Sequence, residues 1–125
     1  MKKDDLIAEW VRFASEDYKT AKFLTGMVPE PLEIICFHCQ QSAEKALKAY
    51  LVYKDIKPPK THDLDELIDL CSGNEVIQNL REICISLNDY SVITRYPSSQ
   101  ELIVEDREMA INAAKAVLGI IKQEL

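Results

Sequence analysis

Glycine is scarce in this 125-residue chain, with Gly26, Gly73 and Gly119 the only three. That excludes a glycine-rich phosphate cradle, whether of the P-loop or the dinucleotide-binding kind. With five prolines besides, the chain is neither collagen-like nor a turn-rich all-β protein. No uncharged run exceeds the ten residues from Ile34 to Ala43; a membrane-spanning helix needs roughly 20. Nor is there a secretory pattern, because Asp4 and Asp5 follow Lys2 and Lys3, and Glu9 and Arg12 interrupt what should be an unbroken apolar stretch. The chain therefore reads as cytoplasmic, and Cys36, Cys39, Cys71 and Cys84 read as small buried hydrophobes rather than disulfide partners. An excess of basic charge is also missing. Fifteen basic residues stand against 21 acidic ones, a net −6, which argues against a general nucleic-acid coat or a basic membrane-surface binder.

What is present is a globular composition, 47% apolar and 29% charged, in a length that suits one domain spanning residues 1–125. The charge is uneven. Residues 45–60 hold Lys45, Lys48, Lys54, Lys57 and Lys60 against Asp55 alone, a local +4 that leaves −10 elsewhere.

Gly26, Pro29, Pro31, the Pro58-Pro59 pair, Gly73 and Pro97 divide the chain into five segments with helical spacing. The first, about 4–25, carries Leu6, Trp10, Phe13, Ala14, Ala21 and Leu24 on one side, with Tyr18 beside them. The second, about 31–55, is apolar over more than half its circumference, which marks it as central. Its remaining stripe is Gln41, Glu44, Lys45 and Lys48, spaced to line one face. The third, about 63–72, opens on Asp63-x-x-Glu66, a variant of the capping box. The fourth is expected as a long helix over 74–93 and the fifth over 104–124. The expected fold is all-α, an up-and-down bundle of four long helices plus a short one.

Three constellations could carry chemistry. Cys36-Phe37-His38-Cys39 has the look of a metal hook but lacks a second hook, and both cysteines fall on the apolar face of the second helix; no metal site is expected. The lysine stripe is either a solvated face with Glu44 pairing Lys48, or the lining of a cleft in which Lys45 and Lys48 attract phosphate, with Lys57, Lys60 and His62 nearby. The third is Asn88-Asp89-Tyr90 followed by Thr94-Arg95-Tyr96-Pro97. An Arg–Tyr pair at a helix exit either answers the helix dipole or binds phosphate and stacks on a base.

Phe37-His38-x-x-Gln41-x-x-Glu44-Lys45-x-x-Lys48-Ala49, then Pro58-Pro59-Lys60-Thr61-His62-Asp63-Leu64, then Leu87-Asn88-x-Tyr90 before Thr94-Arg95-Tyr96-Pro97, resembles the HEPN domain family of prokaryotes. The resemblance implies a helical bundle that forms homodimers and works beside a separate minimal nucleotidyltransferase, in nucleotide handling or a toxin–antitoxin pair, without a cofactor. The expectation built on it is nucleotide or RNA binding through Gln41, Lys45, Lys48, Lys60, His62, Arg95 and Tyr96; of these the family's motif transfers Arg95 alone, as a phosphate contact, and His62 reads equally as a structural residue at the start of the third helix. Many family members are instead metal-independent ribonucleases that carry an Arg followed four to six residues later by a His. No Arg here is followed by His at that spacing. Catalysis is thus left open, with His62 and Arg95 as the acid–base and phosphate groups in a ribonuclease reading.

Overall fold

The computed structural model describes residues 1–93 and 101–125. Among the described residues six helices follow in order: α1 Lys3–Leu24, α2 Leu32–Tyr53, α3 Leu64–Leu70, α4 Glu75–Gln78, α5 Arg81–Asn88 and α6 Val104–Glu124. The described residues contain no strand, and none of their helices is long and apolar enough to cross a membrane. The all-α expectation holds.

The register of α1 on α2 can be read from their contacts. Asp17 meets His38 and Lys45, the Ser42 hydroxyl donates to the Ala14 carbonyl at 2.8 Å, Lys48 sits over Trp10, and Lys3 pairs with Asp55. Numbers fall along α1 as they rise along α2, so the two are antiparallel. Ala14, Ala21, Ala43 and Ala46 are all fully buried, and their small side chains let the helices approach closely. α6 runs in the same sense as α2. Near its start Arg107 pairs with Glu30 at 2.6 Å, and at its end the Asn74 amide donates to both Tyr50 and Glu124. α2 touches α1, α3, α5 and α6, and fourteen of its 22 residues are buried, so it is the enclosed central helix that its composition implied.

The expected long helix over 74–93 is divided instead into α4 and α5, with the break at Asn79 and Leu80. The cause is tertiary. α3 has only seven residues, and the carbonyls at its end need donors. The Gln78 amide supplies them, donating to Ile68 O at 2.7 Å and Cys71 O at 3.1 Å, while Arg81 reaches Asp69 at 2.7 Å. Gly73, at φ +90°, makes the turn that brings these groups back. The described residues thus form three long helices and three short ones, where four long and one short were expected.

α2 ends in a turn that matters for the site. Asp55 takes φ +61°, its N–H bonds Val52 O, and the Ile56 N–H bonds Leu51 O at 2.8 Å. This is a Schellman arrangement, and Ile56 packs back on the core. The chain is thereby reversed, and Pro58 to His62 return alongside α2.

Candidate functional site

α2 places Glu44 and Lys48 one turn apart on one face. Both are buried, at 3% and 7% exposure, and the Lys48 ammonium lies 5.7 Å from the Trp10 ring centre. Lys48 Nζ donates to Glu44 Oε2 at 2.9 Å. The other carboxylate oxygen, Oε1, lies 2.7 Å from His62 Nδ1. A carboxylate only accepts hydrogen bonds, so Nδ1 carries a proton and Nε2 is left for a ligand, an acceptor in the neutral ring and a donor in the imidazolium. The His62 side chain is 64% exposed while the Glu44 side chain beneath it is buried. The loop holding the ring is anchored as well, since Gln40 Nε2 donates to His62 O at 2.8 Å and Gln41 Nε2 donates to Gln40 Oε1. The result is an imidazole presented to solvent from a buried ionic base.

A second carboxylate–histidine–lysine set lies across the α1–α2 seam. Asp17 Oδ1 meets His38 Nδ1 at 2.9 Å and Asp17 Oδ2 meets Lys45 Nζ at 2.5 Å. The predicted stripe Gln41, Glu44, Lys45, Lys48 does therefore share a face of α2, but α1 and the loop before α3 cover it. Asp17 and Glu44, both outside the 45–60 window, match the charges of Lys45 and Lys48 in space. Lys54, Lys57 and Lys60 are the exposed part of that local positive charge.

The entry to α3 is closed to an incoming anion. The Leu64 N–H donates to Asn88 Oδ1, the Asp65 N–H to Asp63 Oδ1, and the Asp63 N–H to the Thr61 hydroxyl. The expected partner of the Asp63 N–H was Glu66; Thr61 takes that place. Asn88 also donates to Asp63 Oδ1 at 2.9 Å, and this bond is the main reason the Asp63 carboxyl titrates below its ordinary value. Asn88 therefore ties the exit of α5 to the residue next to His62. Tyr90 packs against the core, and burial above all pushes its hydroxyl up to about 12. Arg95 and Tyr96 lie outside the described residues, and so does any distance from Arg95 to His62.

All four cysteines are free and buried. Burial raises Cys36, Cys39 and Cys84 to about 12 and Cys71 to about 11, which leaves almost no thiolate at neutral pH. Among the described residues, no three His, Cys, Asp or Glu side chains gather in a way that could hold a metal ion.

The sequence reading missed Asp17 and the part played by Trp10. A signal for Asp17 was there. It stands with Ala14, Tyr18 and Ala21 at helical spacing on the face of α1 that meets α2, and a carboxylate in such a stripe needs a cation opposite.

The molecule is thus a small all-α bundle built around one enclosed helix that carries its own polar network. The HEPN domain model matches residues 7–125, and the chain belongs to the HEPN domain family. Two crystal structures share the fold. One is ST0689, an archaeal HEPN homologue, with a TM-score of 0.73 and 23% identity over 99% of this chain and 98% of that one. The other is TT1696 from Thermus thermophilus, with a TM-score of 0.75 and 23% identity over 95% of this chain and 98% of that one. No curated protein matches the chain.

Proposed function

We propose that this HEPN chain is a cytoplasmic nucleotide- or RNA-binding subunit that acts as a homodimer with a separate minimal nucleotidyltransferase, in a toxin–antitoxin type system. The observation that carries the reading is the His62 imidazole, solvent-facing and fixed through Nδ1 by buried Glu44. In its imidazolium form the oriented ring donates Nε2–H to a phosphate oxygen, with exposed Lys60 nearby in the chain, while the acidic remainder of the chain disfavours a long polyanion. Lys48 and Lys45 support that surface from within, Lys48 by fixing Glu44 and Lys45 by locking α1 to α2. Gln41 braces Gln40, which holds the His62 backbone. Arg95 and Tyr96 complete the proposed set as a phosphate contact and a base contact. Calorimetric titration with nucleotides and short RNAs at low salt tests this. Binding is expected for the chain alone or with the nucleotidyltransferase; no heat in either case overturns the proposal.

One observation favours a second reading. A carboxylate-oriented histidine with a free Nε2 is equipped for general acid–base work, so a metal-independent ribonuclease using His62 with Arg95 is the alternative. RNA cleavage in the presence of a chelator, abolished by His62→Ala, would establish it; RNA left intact by the wild type at high enzyme concentration excludes it.

A further inference from the structure

The periodicity of α1 directs Leu6, Trp10 and Phe13 toward one side of the helix, yet the core does not take them. Ala14 and Ala21 are fully buried, whereas Leu6 and Trp10 are half-buried and Phe13 is 41% exposed. These three side chains, with Glu9 and Arg12, line an open cleft of about 330 Å³. Spacing explains its shape, since Leu6 to Trp10 and Trp10 to Phe13 are each one helical turn.

Two flat surfaces face this space. One is the Trp10 indole, which takes the Lys48 ammonium over its ring at 5.7 Å and is held in place by it. The other is the Arg12 guanidinium layered on the Phe13 ring at 4.5 Å, held there by Glu9 and Glu16. The cations at the cleft are already matched, Arg12 by Glu9 and Glu16 and Lys48 by Glu44. A phosphate gains nothing there. A flat, uncharged heterocycle does, because it stacks on the rings without displacing an ion pair. The cleft also neighbours the proposed anion site through packed side chains: Lys48 lies over the Trp10 ring, Lys48 bonds Glu44, and Glu44 bonds His62.

We infer that this cleft is the base subsite of the ligand whose phosphate meets His62, with a nucleobase stacked on Trp10. The inference rests on the nucleotide-binding reading and adds a specificity-determining residue to it. It makes the ligand a single nucleotide or an unpaired RNA end, since a base within a duplex has no free face to offer.

Trp10 is the only tryptophan in the chain, so its emission reports on the cleft without ambiguity. The full chain is titrated with adenosine monophosphate, a short single-stranded RNA and, as a base-free control, ribose 5-phosphate, by fluorescence and calorimetry in parallel. The expected result is saturable quenching by the first two at the calorimetric midpoint and none by the third. Trp10→Leu should weaken adenosine monophosphate about ten-fold or more, while Trp10→Phe keeps most of the affinity. If the leucine variant does not fold, the wild-type quenching and the phenylalanine variant decide. Calorimetric binding with unaltered Trp10 emission overturns the inference and leaves the nucleotide-binding reading standing. Quenching by the nucleotidyltransferase alone overturns it as well. No binding of any nucleotide or RNA, alone or with that partner, removes the reading on which it rests.

Discussion

Glu44 and His62 stand 18 residues apart in the chain, and their side chains meet at 2.7 Å. The contact couples a buried carboxylate on α2 to an exposed ring on a loop, and it decides which ring nitrogen faces solvent. Nitrogen-15 spectra of the neutral His62 ring should show Nδ1 protonated and Nε2 bare, and Glu44→Ala should give a mixture of both forms. A wild-type ring protonated at Nε2 contradicts the assignment.

Lys48 is buried against Glu44, and a buried pair that loses one partner leaves an uncompensated charge. Lys48→Met should destabilise the fold by about 3 kcal/mol in denaturant unfolding. Pairing it with Glu44→Gln should cost less than the two single changes together, because the charges are then removed as a unit. Additive losses would show that the pair is not coupled.

Asn88→Ala removes the acceptor for the Leu64 N–H and a donor to Asp63, and should cost about 1–2 kcal/mol at neutral pH. The Asp63 carboxyl lies lower in the folded protein than in the unfolded chain, chiefly through Asn88. Its contribution is therefore full above the unfolded value, about 3.9, and fades as pH falls through the folded one. Urea unfolding of wild type and variant should show a constant gap near neutrality that narrows below about pH 4. A gap that widens in acid contradicts this.

Asp55 holds a left-handed backbone at φ +61° where glycine carries no steric cost. Its ion pair with Lys3 is exposed and contributes little. Asp55→Gly should raise stability by about 0.5–1 kcal/mol. A loss of stability would mean that the Lys3 contact outweighs the backbone.

These tests also mark where the sequence was legible. α6 was read at its true limits, because an acidic first turn and an unbroken apolar stripe mark it locally, and Asp106 does bond the Ile103 N–H. The break between α4 and α5 was not, because Ile77, Leu80, Cys84 and Leu87 keep helical spacing straight across it. Gln78 and Arg81 set the break by reaching α3, a contact that no local pattern encodes. The same holds for the site. The stripe from Gln41 to Lys48 follows from helical geometry, but the partners of its lysines do not. Asp17 lies 28 residues from Lys45, so a charge count along the chain overstated the basic feature. Lys57 and Lys60 remain exposed on the path to His62, and the positive surface is smaller than the linear +4 implied.

The central claim is that His62, presented by Glu44, is the group that meets the phosphate of a nucleotide or RNA end. Calorimetric titration of the wild type and of His62→Ala with nucleotides and short RNAs, at low salt and with the nucleotidyltransferase present, tests it most directly. Wild-type binding that falls about ten-fold or more in the variant, a loss of about 1.4 kcal/mol, is the predicted result. Equal binding by the two proteins, or no binding by the wild type, would contradict the account.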